Sequence, residues 1–153
     1  MKKSIALSAF CLLLTISLLA QKKVAVNEVD AVKAAIEKET KAFFAIDFET
    51  WINSWAHTPY AYWSFVDSTG VSQYEGWKSI EIGFTDYFLT SKPTNVQIER
   101  TWQEVRVYGT GAFARYKQVN ITDGVRGLVQ TEIRILEKDQ TGWKIVLVGV
   151  LKR

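Results

Sequence analysis

Two side chains in the first half of the sequence have the chemistry and the surroundings for proton transfer. His57 follows the aromatic residues Trp51 and Trp55, and an imidazole titrates near neutral pH. Asp47 lies in an apolar stretch, where burial would raise the pKa of its carboxyl and make it a base. Tyr60 follows shortly after and could donate a hydrogen bond to a developing oxyanion. The catalytic candidates are therefore His57, Asp47 and Tyr60.

Asp47 and His57 each have a simpler structural interpretation as well. Asp47 stands where one helix is expected to break and another to begin, and an aspartate there caps free backbone N–H groups. His57 comes where a helix gives way to a strand, so it could bond to a backbone carbonyl at the helix C-terminus. The structural interpretation is favoured for both residues.

Aromatic side chains are concentrated around these candidates. The sequence contains 6 Trp, 6 Tyr and 8 Phe, and several of them fall between Trp51 and Trp63. Most such residues form core, but Trp and Tyr also offer flat apolar faces with a polar handle, which suits an aromatic ligand. The predicted ligand-binding residues are Trp51, Trp55, Tyr62, Trp63, Trp77 and Phe88, together with Arg115.

Arg115 and two later charged residues lie on strands whose faces the sequence leaves open. Arg115 stands among apolar residues on one strand face, so its guanidinium could hold an anionic ligand. Glu132 and Arg134 alternate with Ile133 and Ile135 on the next strand. Either face of that strand could be concave, because a one-residue bulge would exchange them. A solvated face is the favoured expectation for Arg115, Glu132 and Arg134.

Several kinds of chemistry lack their residues in this sequence. His57 is the one histidine and Cys11 the one cysteine, which argues against Cys/His zinc sites and iron–sulfur clusters. No glycine-rich nucleotide-binding motif or nucleophile elbow occurs. The net charge of +3 comes without a basic run, so nucleic-acid binding is not expected. We predict no metal ion and no other cofactor.

Hydrophobic periodicity indicates which elements position these residues. A helix beginning at Glu28, capped by Asn27, is followed by a break at Asp47 and a second short helix. Strands over Tyr60 to Val66 and Val71 to Tyr74 form a hairpin. A third helix starts at Gly76 and ends before Pro93.

The remaining sequence predicts four long strands separated by short turns. Such strands must form an antiparallel meander, and a sheet of this length curls. We therefore expect an α+β fold of order ααββαββββ, with three helices on the concave face of a strongly curved antiparallel sheet. The four strands are Val96 to Tyr108, Ala112 to Ile121, Val125 to Lys138 and Gly142 to Leu151.

Three local motifs carry a resemblance to a known superfamily. They are the stretch from Ala42 to Trp51, the helix start Gly76-Trp77-Lys78-Ser79-Ile80 and the final hairpin Gly142-Trp143-Lys144-Ile145-Val146. In this order they resemble the nuclear transport factor 2-like (NTF2-like) superfamily, which includes SnoaL-like cyclases and ketosteroid isomerase-like proteins. The resemblance implies a cone-shaped fold that encloses one apolar pocket, and often a homodimer formed through the sheet.

The first twenty residues have the pattern of a secretory signal peptide. Met1-Lys2-Lys3 precedes an uncharged apolar run from Ser4 to Ala20, and cleavage is expected after Ala20. Cleavage removes two lysines and Cys11, so the net charge falls from +3 to +1. The expected product is a secreted or periplasmic protein with no membrane association, folded as one domain over residues 27–153.

These observations together predict a domain that binds a small apolar or aromatic molecule. If it is catalytic, the expected reaction is a cofactor-free isomerisation, cyclisation or hydration. A non-catalytic ligand-binding module or a dimeric interaction module is the alternative.

Overall fold

The computed structural model describes residues 28–152. The predicted signal peptide and the predicted cap Asn27 lie outside the described residues. Helix α1 covers residues 28–45, and its stripe facing the core includes the fully buried Val32 and Ile36. Ile46 directly follows the helix, and its φ of 57° is unusual for a β-branched residue. The backbone N–H of Asp47 closes this end by donating to the carbonyl oxygen of Ala42 at 2.9 Å. The predicted break between two helices is confirmed.

Two further helices pack beside α1. Helix α2 spans Phe48–Asn53 and buries Trp51, and helix α3 spans Trp77–Thr90. The third helix was expected to start at Gly76 and to end before Pro93, which is confirmed. Gly76 is the N-cap of α3 and has a φ of 76°, a backbone conformation that favours glycine.

The strands follow the predicted order, and most of their bounds agree with the sequence pattern. The hairpin and three of the long strands are confirmed. The strands are β1 Tyr62–Asp67, β2 Gly70–Glu75, β3 Val96–Tyr108, β4 Gly111–Thr122, β5 Val125–Arg126, β6 Gln130–Asp139 and β7 Gly142–Lys152.

The predicted strand from Val125 to Lys138 is wrong as a single element. β5 pairs with the end of β4 up to Arg126 opposite Ile121, and β6 resumes with Gln130 opposite Gln118. Residues 127–129 of this segment thus stand opposite residues 119–120 of β4, so the segment has one residue more than its partner. Such an extra residue is a β-bulge, and it shifts which side chains point to each face.

A single sheet collects all of these strands in the order β2-β1-β7-β6-β4-β3, with β5 paired to β4. The long strands form the predicted antiparallel meander, whereas β1 runs parallel to β7 with Phe65 opposite Val150. The parallel pairing was not predicted. The sheet is strongly curved and unclosed, and the α+β fold class is confirmed. Within residues 28–152, no helix has the length and apolar character needed to cross a membrane.

Candidate functional site

A cavity of about 270 Å³ lies between the helices and the sheet. Its apolar lining comes from α1, α3, β1 and β7 and consists of Phe43, Phe44, Phe84, Trp63, Phe65, Val148 and Val150. Its polar lining comes from α1, β4 and β6 and consists of Glu39, Thr40, Gln118, Asn120, Gln130, Glu132 and Arg134. A mostly apolar pocket with a few convergent polar groups is the usual form of a small-molecule site.

The charged side chains of β6 face this cavity. Glu132 and Arg134 are only 2% and 5% exposed, whereas Ile133 and Ile135 on the opposite face are 38% and 39% exposed. The expectation of a solvated face for Glu132 and Arg134 is therefore wrong. Their burial is tolerated because each charge has partners of opposite sign inside the protein.

Arg134 is the centre of the polar network. Its Nη2 donates to Oε2 of Glu132 at 2.6 Å, and its Nε donates to the hydroxyl oxygen of Tyr116 at 3.0 Å. The Tyr116 hydroxyl in turn donates to Oε2 of Glu132 at 2.7 Å, and Gln130 donates to Oε1 at 2.6 Å. Burial alone would raise the pKa of Glu132, but the Arg134 charge and these hydrogen bonds outweigh it and lower that pKa. Glu132 is thus an ionised partner of Arg134.

Glu39 on α1 is the second buried carboxyl of the site. Its Oε1 accepts a hydrogen bond from Trp51 Nε1 at 3.1 Å, and its Oε2 lies 3.6 Å from Nη1 of Arg134. Burial raises the pKa of Glu39 against the opposing charge of Arg134, and the nearby Glu132 raises it further. A carboxyl with a raised pKa can exchange a proton with a bound molecule closer to neutral pH than an ordinary glutamate can.

Glu39 is not among the residues predicted from the sequence, although its position in the helix carries a signal. Val32, Ile36 and Phe43 follow at helical spacing, and Glu39 and Thr40 fall within the same stripe. A carboxylate inside an apolar stripe is unusual, because burying an unpaired charge is costly. A glutamate within such a stripe therefore indicates either a buried partner of opposite charge or a functional role.

Arg100 on β3 extends the network towards α1 and β4. Its Nη2 donates to the Thr40 hydroxyl at 3.1 Å, and its Nε donates to Oε1 of Gln118 at 3.0 Å. The guanidinium lies 4.5 Å from the ring centroid of Tyr116, a favourable cation–π distance. Because the bonds join α1, β3, β4 and β6, the polar side of the cavity is held in one arrangement.

Comparison with known proteins gives the fold its name. The chain matches no protein-family profile and no curated protein. Among solved structures, it is similar to an NTF2-like protein from Streptomyces avermitilis that is provisionally assigned as a dehydratase. The TM-score is 0.67 and the identity 16%, and the match covers 83% of this chain and 97% of the other. This chain has the NTF2-like fold.

Two further solved structures are similar to this chain at a comparable level. An NTF2-like protein with a cystatin-like fold from Novosphingobium aromaticivorans has a TM-score of 0.66 and 16% identity, with 88% of this chain and 87% of the other covered. An NTF2-like protein of unknown function from Pseudomonas putida has a TM-score of 0.62 and 13% identity, with coverages of 82% and 86%. At these identities the likeness concerns the fold.

In this NTF2-like fold, Asp47 lies outside the cavity. Its carboxylate is exposed and accepts a hydrogen bond from the backbone N–H of Thr50 at 3.0 Å, as the N-cap of α2. Hydrogen bonds from the backbone and the side chain of Thr50 lower the pKa of Asp47. This direction is opposite to the one expected for a buried base, and the capping interpretation describes the residue.

His57 and Tyr60 also lie away from the cavity. The exposed His57 ring stacks on Trp77 at 4.2 Å and donates from Nε2 to the carbonyl oxygen of Ile52 at 3.0 Å. Tyr60 is 58% exposed, and its hydroxyl donates to Glu137 at 2.9 Å. The geometry therefore does not bring His57, Asp47 and Tyr60 together around one bound molecule.

The predicted ligand-binding aromatics divide between the cavity and the core. Trp63 lines the cavity. Trp51, Trp55 and Phe88 are buried in the hydrophobic core, where the rings of Trp51 and Phe88 lie 4.9 Å apart. Trp51 nevertheless reaches the site, because its indole N–H holds Glu39. Trp77 packs against the core and stacks on the His57 ring.

Tyr62 and Arg115 do not line the cavity. The Tyr62 hydroxyl donates to Gln73 on the neighbouring strand at 3.1 Å. The Arg115 side chain is 48% exposed and lies 3.6 Å from Glu104. The solvated interpretation of Arg115 is the one that the structure shows.

A second cleft, of about 280 Å³, lies between the segment around His57 and the β6–β7 turn. Its charged groups are already bonded within the protein, since Asp139 accepts from Thr141 at 2.7 Å and Lys144 donates to the carbonyl oxygen of Asn53. In the part of the chain that the structure describes, no group of three or more His, Cys, Asp or Glu side chains is placed to hold a metal ion.

Proposed function

We propose that this chain binds a small, mostly apolar molecule in the cavity and transfers a proton to or from it through Glu39, without a cofactor. The observation that carries the proposal is the position of Glu39, a buried carboxyl with a raised pKa on the wall of an aromatic cavity. Enzymes place acid–base carboxyls in such surroundings.

The neighbours of Glu39 supply the other requirements of proton transfer. The Trp51 indole fixes the orientation of the carboxyl, and the cationic Arg134 lies close enough to stabilise negative charge that develops on a reacting oxygen. Phe43, Phe84 and Trp63 provide the apolar surface that a substrate would contact. Isomerisation, cyclisation and dehydration or hydration all use this combination of groups.

The comparison with the Streptomyces avermitilis protein supports the reaction class without defining it. That protein is provisionally assigned as a dehydratase, and it shares the fold at 16% identity. Fold alone hosts many functions, so the support for this chain comes from its own cavity and carboxyl.

A general probe of carboxylate bases tests the proposal before any substrate is known. When a base removes the ring C–H proton of a nitrobenzisoxazole, the N–O bond breaks and a coloured phenolate forms. We expect the protein to accelerate this reaction, and Glu39→Gln to lower the rate by about 10²–10⁴-fold. The rate should rise with pH through the raised pKa of Glu39, because the base must be ionised.

Glu37→Gln is the matched control, since Glu37 lies on the same helix and is exposed. It should leave the rate unchanged. A Glu39→Gln protein that folds normally, by circular dichroism, and retains the wild-type rate would refute the role of Glu39.

We also propose that the chain forms a dimer through the outer face of the sheet. Ile133, Ile135 and Leu151 are 37–39% exposed on neighbouring strands β6 and β7. Apolar side chains grouped in this way suit a sheet-to-sheet interface with a second copy.

Export is also proposed, from the sequence of residues 1–20. N-terminal sequencing of the protein recovered from its natural host tests it. A mature N-terminus close to Gln21 is expected, and a retained Met1 would refute cleavage.

A further inference from the structure

We infer that the molecule bound in the cavity is a small monocarboxylic acid, whose carboxylate binds Nη1 of Arg134 while Glu39 takes up a proton. The inference rests on the proposed function as far as the cavity is a ligand site, but it does not require catalysis. It is carried by the hydrogen-bond arrangement around Arg134 and by the balance of charges around it.

The Arg134 guanidinium has N–H groups that are not hydrogen-bonded to any described residue. Its Nε and Nη2 are bonded to Tyr116 and Glu132, but Nη1 is buried and has no hydrogen-bond partner among the described residues. The nearest acceptor, Oε2 of Glu39, is 3.6 Å away, beyond hydrogen-bond distance. A buried charged donor without a partner is costly, and Arg134 is one of the residues that line the cavity, so an acceptor on the bound molecule is the partner that we assign to Nη1.

A carboxylate is the acceptor that suits this donor. Nη1 carries N–H groups in the plane of the charged guanidinium, and a carboxylate oxygen accepts a charge-assisted hydrogen bond from such a donor. One carboxylate oxygen near Nη1 would also lie close to Oε2 of Glu39. Two carboxylates repel at that distance unless one of them is protonated, in which case they share a hydrogen bond.

Glu39 is the group that takes the proton. The charged groups facing it are Arg134 and Glu132 on β6 and Arg100 on β3. With both glutamates ionised, the two arginines are already neutralised, so an added monoanion leaves the site with a net negative charge. Protonation of Glu39 restores neutrality.

Glu132 is unsuited to that role, because its carboxylate already accepts hydrogen bonds from Tyr116, Arg134 and Gln130. These bonds stabilise its ionised form and lower its pKa. Glu39, by contrast, accepts one hydrogen bond at 3.1 Å from Trp51 and a long one at 3.4 Å from Thr40. Its raised pKa is consistent with easier protonation.

The size of the cavity and its apolar lining determine the part of the ligand that lies beyond the carboxylate. The cavity of about 270 Å³ exceeds the volume of about 150 Å³ that is known to hold benzene, so one aromatic ring with a short acid side chain fits. Phe43, Phe84 and Trp63 would contact the ring.

Phenylacetate and its neutral isostere phenylacetamide test the inference by isothermal titration calorimetry. We expect phenylacetate to bind at least tenfold more tightly than phenylacetamide at pH 6. Above the pKa of Glu39, its affinity should fall by up to tenfold per pH unit, because a proton must be taken up. Titrations above the pKa of Glu39, in buffers of different ionisation enthalpy, should show an uptake approaching one proton.

Glu39→Gln should abolish both the proton uptake and the pH dependence while phenylacetate still binds, and Glu37→Gln should change neither. Equal binding of the acid and the amide, or binding of the acid without proton uptake, would overturn this inference and leave the proposed ligand site in place. If neither compound binds and Glu39→Gln leaves the benzisoxazole rate unchanged, both the inference and the proposed function fail.

Discussion

Replacing Arg134 by Met tests whether the buried network is held by charge. The Arg134 side chain is 6% exposed and contacts two carboxyls, Glu132 at 2.6 Å and Glu39 at 3.6 Å. Met is flexible and fills much of the vacated volume, so the loss of packing is small. What remains is two buried carboxyls that have lost Arg134, the cation closest to them, and removing one partner of a buried ion pair costs about 3–5 kcal/mol. This is a large share of the roughly 5–15 kcal/mol that stabilises an ordinary domain.

The pH dependence of this cost identifies its origin. In the wild type, the lowered pKa of Glu132 contributes stability that is present above the ordinary glutamate pKa and is lost as the pH falls through the lowered value. Without Arg134, the pKa values of Glu132 and Glu39 rise, and both carboxyls become neutral as the pH falls. The difference in the free energy of unfolding between wild type and Arg134→Met should therefore be largest at pH 8 and should shrink towards pH 4.5.

Urea unfolding followed by tryptophan fluorescence at both pH values measures this difference, provided that the slope with denaturant is unchanged. Arg115→Met is the matched control, because Arg115 is exposed and its pair with Glu104 is at the surface. Its cost should stay within about 0.5 kcal/mol. A cost for Arg134→Met that is below about 1 kcal/mol, or equal at both pH values, would refute the electrostatic account.

Three further predictions concern other parts of the chain. Asp47→Ala should lower the melting temperature by a few degrees through loss of the α2 cap and leave the benzisoxazole rate unchanged. Loss of that rate would instead give Asp47 a role in the reaction. Gly83→Ala should cost about 1–3 kcal/mol in urea unfolding, because the added Cβ would meet the Tyr74 ring at 2.5 Å, and an unaltered stability would contradict this contact. Ile133→Lys with Ile135→Lys should convert a dimer to a monomer in sedimentation, and a monomeric wild type would refute the sheet interface.

The order of helices and strands could be predicted because each element carries its own period. The helical stripe with Val32 and Ile36 and the alternation along β6 are local patterns, and local patterns decide secondary structure. Which face of β6 points towards the cavity could not be predicted in the same way. It depends on the bulge at residues 127–129, where one residue more or less exchanges the two faces of the strand.

The candidate site was harder to predict, because residues that are close in sequence need not share a cavity. Trp51, Trp55 and His57 lie within two turns of chain, yet the two tryptophans enter the core and the histidine faces outward. The candidate site joins Glu39 to Arg134, which are far apart in sequence and meet only when α1 packs on the sheet. No local pattern encodes that contact.

The parallel pairing of β1 with β7 has a consequence for how the chain reaches its native state. The hairpin of β1 and β2 joins the rest of the sheet only through β7, which contains the last described residues. Tyr62 opposite Leu147 is a contact of very high sequence separation, and such contacts slow folding because a long loop must close first. Val148 and Val150 of that same strand line the cavity. The cavity wall is therefore completed only by β7, and a chain still lacking that strand has an incomplete cavity.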